Sequence, residues 1–394
     1  MIFQTLDDKT ECVGIYVDGQ LYFDNWPNNL TQTWKYTGFS KDEEIEYASL
    51  YCDGLSLDRA APESLQKPLK KAQRRLKAYA QSFRIAKIDM REHCIFDLVP
   101  QDFLKEFCEI KNQITEHILT RYDKPPSYDH LNRVSKLLYK IKYQDLNLNA
   151  DDCKSLFYNT PSRVMAKKLL DGPNYINYNI FGTITGRLTT HPESFPILTS
   201  QRGFRQLLKP QNDWFLSLDY NGAEIRTLIA LSKQKQPIED IHAWNVKNIF
   251  DKSLTREEAK TMFFGWLYNP DSTTVKTDAY DRESILDNFY DGVYILTPFK
   301  RKIKVEKRKA FNYLIQSTTA DLVLDRAVEV DKMLEGKKSF VSHIVHDELV
   351  IDVADEDREM VPQIRDVFSH NKIDKYLVNL RAGKNYLDLK DLNL

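Results

Sequence analysis

No apolar run in the 394 residues approaches the roughly 20 that a membrane-spanning helix needs. That absence argues against a membrane function. A targeting leader is not expected either: the start, "MIFQTLDDKTECVGIYVDG", carries acids where a signal peptide would carry basic residues and then an apolar core. Secretion is therefore not expected. Cysteine is scarce, and the five present (Cys12, Cys52, Cys94, Cys108 and Cys153) stand far apart with no C-x-x-C spacing. Reduced thiols and a cytoplasmic location, the host cytoplasm if the chain is viral, are the expectation. Net charge is nearly absent at −1, and neither an internal repeat nor a low-complexity segment interrupts the chain.

What is present is the profile of a soluble globular protein, 29% charged and 42% apolar, long enough for two or three domains. The charge is unevenly spread. Basic runs occur at "KPLKKAQRRLKAYAQSFR" from Lys67 and at "FKRKIKVEKRKAF" from Phe299. Such runs are either solvated faces or contacts for a phosphate backbone. The first 54 residues read as strands, with "CVGIYVDGQLYF" a hairpin turning at Asp18 and Gly19. From Ser56 to about Leu156 apolar residues recur at helical spacing, broken at Pro125 and Pro126.

Three stretches carry chemistry. In "HIVHDELVID" two β-rich flanks enclose Asp347 and Glu348, so a hairpin presents carboxylates at its tip. Taken alone, Asp in a turn is ordinary surface chemistry. In "WFLSLDYNGAEIR" an apolar strand ends at Asp219 and hands over to a helix after Gly222. A carboxylate at a strand end and one at a hairpin tip can converge on one sheet edge. Mg²⁺ is held in that way, by one or two carboxylates plus substrate phosphates. Between them, "TREEAKTMFFGWLY" repeats Arg256, Lys260, Phe264 and Tyr268 every four residues, a stripe about 18 Å long on one helix. Thr255 or Ser253 is suited to cap it, with Glu257 and Glu258 in its first turn. Two cations followed by two rings fit a nucleoside triphosphate; the plain alternative is a partly solvated helix face.

Together, "DYNGAEIR", R-x-x-x-K-x-x-x-F-x-x-x-Y and "HDE", in that order, resemble motifs A, B and C of the bacterial DNA polymerase I family, family A. "TITGRLTT" around Arg187, "DIH" ending at His242 and "RKAFNYLIQSTTAD" extend the likeness from about Phe181 to the end. The resemblance implies an α+β right-hand fold with an antiparallel-sheet palm and helical fingers and thumb. Residues 1–55 would be a strand-rich region without a counterpart, 56–160 the thumb, 161–235 and 304–394 the palm, and 236–303 the fingers.

It implies a DNA-templated DNA polymerase that adds deoxynucleotides to a primer 3′-hydroxyl with two Mg²⁺ ions, Mn²⁺ being able to substitute. Asp219, Asp347 and the carbonyl of Tyr220 would bind metal, with Glu348 a supporting carboxylate and Lys260 the proton donor to pyrophosphate. His242 and Arg256 would meet the phosphates, Phe264 the base and sugar, and Tyr268 with Glu224 the space that excludes a 2′-hydroxyl. Arg187, Arg308, Asn312, Gln316 and His346 would contact primer-template DNA.

No acidic pair at proofreading-exonuclease spacing is evident, so excision would fall to another chain. A separate exonuclease, helicase or primase is a conceivable partner, and small polymerases of this kind are most often from phages. Five positions depart from the family pattern: Ser194 and Pro196 in "ESFPILT", Asn269 in place of Gly, Phe263 in place of Asn, and Gly222 where Gln is common, a change expected to loosen local contacts. The alternatives are a phage-type single-subunit RNA polymerase, against which Glu224 and Arg187 argue, and a catalytically silent module that only binds primer-template.

Overall fold

The structure, a computed structural model, describes residues 1–39, 44–151, 153–250, 253–273, 275 and 280–392. It divides into two compact units, Met1–Tyr139 and Lys140–Leu394, and mixes helix with sheet as the α+β reading requires.

In the first unit the helices Glu63–Ile85 and Gln101–Arg121 bury Leu69, Ala72 and Phe83 against Phe103, Leu104, Ile114 and Ile118. These residues recur every three or four positions, so each helix closes one apolar face on the other. The strands Ile15–Val17 and Gln20–Tyr22 form the expected hairpin. Asp18 and Gly19 both have positive φ (44° and 83°), the backbone of a two-residue hairpin turn. This small sheet packs on the helix Gln101–Arg121, where buried Gln4 donates to Asn112 and Thr115 at 3.0 and 3.1 Å. The strand-rich start and the helices thus share one core.

One expectation is corrected here. Cys12 and Cys94 are joined as a disulfide with Cα atoms 5.4 Å apart, while Cys52, Cys108 and Cys153 are free and buried. The partners are 82 residues apart, so only the fold brings them together and linear spacing carries no sign of it.

The second unit is built on an antiparallel sheet in the spatial order Phe340–Val345, Glu348–Val353, Trp214–Tyr220, Val378–Gly383, Lys390–Asp391. Side chains alternate between faces along a strand. In Trp214–Tyr220 this sends Leu216, Leu218 and Tyr220 to one face and Phe215, Ser217 and Asp219 to the other. The first face is covered by the helices Lys307–Met333 and Val361–Ser369, with the Tyr220 ring stacked on Phe368 at 4.4 Å. A second core lies beside the sheet, where Ile225, Leu228 and Ile241 pack with Phe263, Trp266, Phe311 and Leu314. Arg301 and Asp321, both buried, form a two-pronged ion pair at 2.6 and 2.9 Å. Gly186 (φ +78°) lies against that guanidinium; a Cβ there would come within 2.6 Å of it.

Candidate active site

Asp219 is the next-to-last residue of the central strand, and its register neighbours are Glu348 on one side and Asn379 on the other. The hairpin turn beside it consists of His346 (φ +57°) and Asp347; Glu348 belongs to the strand that follows. Asp219 and Asp347 therefore open into the same cleft, of about 510 Å³.

The helix Arg256–Tyr268 forms another wall. Its N-terminus is a capping box: Thr255 accepts from the Glu258 amide and the Glu258 carboxylate accepts from the Thr255 amide. Ala259, Phe263, Trp266 and Leu267 turn into the core, which leaves Arg256, Lys260, Phe264 and Tyr268 along the cleft. The Phe264 and Tyr268 rings are stacked at 5.8 Å. A large apolar residue at 263 is explained by its wholly buried place among Tyr280, Trp266 and Phe264. Asn269 ends the helix at φ −102°, so no glycine is needed. Gly222 is needed: it begins the helix Ala223–Leu231 at φ +69°, and a Cβ would lie 2.4 Å from Cγ2 of Ile241. Local loosening, the expectation for a small residue there, is not what the packing shows.

Arg187, Asp219, Tyr220, Glu224, His242, Arg256, Lys260, Phe264, Tyr268, His346 and Asp347 all line this one cleft. Glu348 stands behind it, its carboxylate accepting from the Ser217 and Tyr386 hydroxyls (Tyr386 at 2.7 Å) and from Arg381 at 3.3 Å. Arg308, Asn312 and Gln316 lie at four-residue spacing on the helix Lys307–Met333, outside the cleft lining. Arg308 pairs with Asp271 at 3.0 Å, and Oδ1 of Asn312 is buried with no hydrogen-bond partner among the described residues. Ser194 is buried and accepts from the Asn177 amide at 3.1 Å, so its hydroxyl faces inward.

The cleft holds two carboxyl groups that are each costly to ionise. Burial pushes the Asp219 carboxyl up to about 7, and the charges of Asp347 and Glu348 add to the effect. Asp347 is raised as well, chiefly by burial. A cation between them would relieve both costs. Among the described residues no cluster of three or more His, Cys, Asp or Glu side chains is assembled as a metal cage. Two carboxylates are an incomplete oxygen set, which suits an ion that takes its remaining ligands from water and phosphate.

Glu224 is buried, accepts from the Tyr268 hydroxyl at 2.5 Å and is ion-paired with Arg187. Burial and the Glu224 charge raise the Tyr268 phenol to about 12, so it stays a donor. His242 is also buried; desolvation and then Arg256 push it down to about 4, leaving the imidazole neutral. Sequence reasoning passed over Asn221, Asp240, Asn379 and Arg381. Asp240 was legible as a helix-capping acid ahead of His242, whereas the others acquire meaning only through sheet register and loop closure.

Comparison with known proteins agrees with this geometry. Residues 293–388 match the family model described as DNA polymerase family A. A DNA polymerase of Mycobacterium phage D29 is 26% identical over 34% of this chain and 28% of its own length. DNA polymerase I of Synechocystis is 22% identical over 55% and 29%, and the thermostable DNA polymerase I of Thermus filiformis 25% over 56% and 33%. The matched part thus spans about a third of these relatives. The fold is that of the POL domain of Pol1 from M. smegmatis, solved in complex with DNA primer-template and dNTP, at a TM-score of 0.60 and 15% identity over 88% of this chain and 83% of that one.

Proposed function

We propose, on the premise that this chain is a family A polymerase, that it extends a DNA primer on a DNA template with deoxynucleoside triphosphates. The observation that carries the reading is the meeting of Asp219 and Asp347 with Arg256, Lys260, Phe264 and Tyr268 in one cleft. In this reading the helical part of residues 56–160 is the thumb, the five-stranded sheet with its covering helices the palm, and 236–303 the fingers.

Asp219, Asp347 and the Tyr220 carbonyl would hold two divalent cations. When bound, these would activate the primer 3′-hydroxyl and neutralise the triphosphate. The residues of the chain do the rest. Arg256 and Lys260 supply positive charge along the triphosphate, and Lys260 is placed to protonate the leaving pyrophosphate. Neutral His242 offers an N–H to a phosphate oxygen without competing for its charge. Phe264 presents a ring face to the base and sugar. Tyr268 and Arg187 hold the Glu224 carboxylate rigidly under the sugar, where a 2′-hydroxyl would meet it. Arg187, Arg308, Asn312, Gln316 and His346 would contact the primer-template. The chain is proposed to extend a mismatched end without excising it, because its sequence shows no acidic pair at the spacing a proofreading site would use.

The test is primer extension with Asp219→Ala and Asp347→Ala. Both variants should bind primer-template and fail to extend it; near-normal turnover by either would overturn the assignment.

A further inference from the structure

We infer that Asp240 is a positioning residue for nucleotide binding, holding Arg256 so that one edge of its guanidinium is left for the triphosphate. The inference rests on the polymerase reading and deepens it.

Asp240 makes the bond of an ordinary helix cap, accepting from the Ala243 amide at 2.9 Å. Asn or Ser would cap as well. The same carboxylate does three further things. Its Oδ1 accepts from Nε of Arg256 at 3.0 Å, and its Oδ2 accepts from Nη2 of Arg256 at 2.8 Å and from Nδ2 of Asn221 at 2.8 Å. Only an acceptor with two charged oxygens can make this fork to a guanidinium while keeping the cap. The hydrogen bonds hold the Asp240 carboxyl far below the usual carboxylate range.

Asn221 follows directly on the residues of the metal strand and is itself fixed. Its Oδ1 accepts from the Ile241 amide at 2.8 Å and from Arg226 at 3.1 Å, and its amide donates to the Leu377 carbonyl at 3.0 Å. Arg226 is wholly buried and donates further to the carbonyls of Pro237 and Glu239. Asp240 therefore stands on a rigid base and ties the loop after Asp219 to the helix that carries Arg256.

The fork occupies the Nε and Nη2 edge of Arg256. The remaining nitrogen, Nη1, bonds Glu257 at 2.7 Å, and that side chain is 72% exposed. A pair so open to water is weak. An arriving triphosphate can displace Glu257 from Nη1 while Asp240 keeps the guanidinium in place. Without Asp240, Arg256 would have to be ordered at the moment of binding.

The experiment is steady-state extension of a DNA primer by the whole chain with Asp240→Asn and Asp240→Ser, each alone and combined with Arg256→Ala. Both substitutions keep a cap, so at least one variant should fold. The expected result is a rise in the KM for dNTP of roughly 10-fold, with kcat changed by less than about 3-fold and primer-template affinity unmoved. In the Arg256→Ala background the same substitutions should add little further. An unchanged KM, or an equal rise on top of Arg256→Ala, overturns the role of Asp240 and leaves the polymerase reading standing. Absence of extension by the unmodified chain overturns the polymerase reading itself, and this inference with it.

Discussion

Replacing Gly222 by Ala tests how tightly the strand that carries Asp219 is joined to the His242 side of the cleft. Gly222 has φ +69°, where an L residue costs about 1–2 kcal/mol. The new Cβ would also lie 2.4 Å from Cγ2 of Ile241, which is itself wholly buried between Asp240 and His242. Forcing an extra carbon into a packed core costs about 1–3 kcal/mol. The two together predict a loss of roughly 2–5 kcal/mol and a fall in Tm on the order of 10 °C. The assay is urea and thermal unfolding followed by tryptophan fluorescence, since Trp214, Trp244 and Trp266 all lie in this unit. Gly203→Ala is the control, with no atom within 4 Å of its would-be Cβ and no positive φ. A loss at Gly222 no larger than the control's would refute the packing argument and with it the rigid link between Asp219 and His242.

Other outcomes follow from the same geometry. Glu224→Ala should raise ribonucleotide incorporation measured against dNTP, and an unchanged ratio would assign the 2′ guard to another residue. Phe263→Asn, which restores the residue commoner in the family, should cost at least about 3 kcal/mol because the ring is wholly buried in a core of aromatic neighbours; a neutral melt would contradict that. Asp321→Ala should cost about 3–5 kcal/mol by removing the two-pronged carboxylate partner of the buried Arg301 charge, read as a shift in the urea midpoint. Buried Asp325, paired with Arg326 and with Lys372 at 2.9 Å, is held down to about 2. Its folded-state value lies below the unfolded one, so its contribution of about 2 kcal/mol is present in full above about pH 5 and is lost as pH falls toward 2. Asp325→Asn should flatten that acid limb, and an unaltered limb would show that the pair does not set it.

The parts of the site legible in the sequence are those with a local cause. The stripe from Arg256 to Tyr268 follows from helical period alone, and the cap at Thr255 from its neighbours. Asp219 and Asp347 were marked by the change from apolar strand to polar end. Other features depend on distant chain segments. That Glu348 stands behind Asp219 and is bound by Ser217, Arg381 and Tyr386 follows from strand register across the sheet. The Asp240 fork to Arg256 spans 16 residues and the loop that contains the helix Ile241–Asn248, and the Cys12–Cys94 bond spans 82. Neither leaves a periodic trace. The residues that replace family-typical ones at 222, 263 and 269 were visible as departures, but their reasons are a close approach, a buried ring and an extended helix end.

The most direct test of the account is extension of a DNA primer on a DNA template with Mg²⁺, supplying dNTPs and NTPs separately and including a primer with a mismatched 3′ end. Templated addition of dNTPs in strong preference to NTPs, abolished by Asp347→Ala and without removal of the mismatch, is the predicted result. Addition of NTPs in preference to dNTPs, or binding of primer-template without extension of any primer, would contradict it.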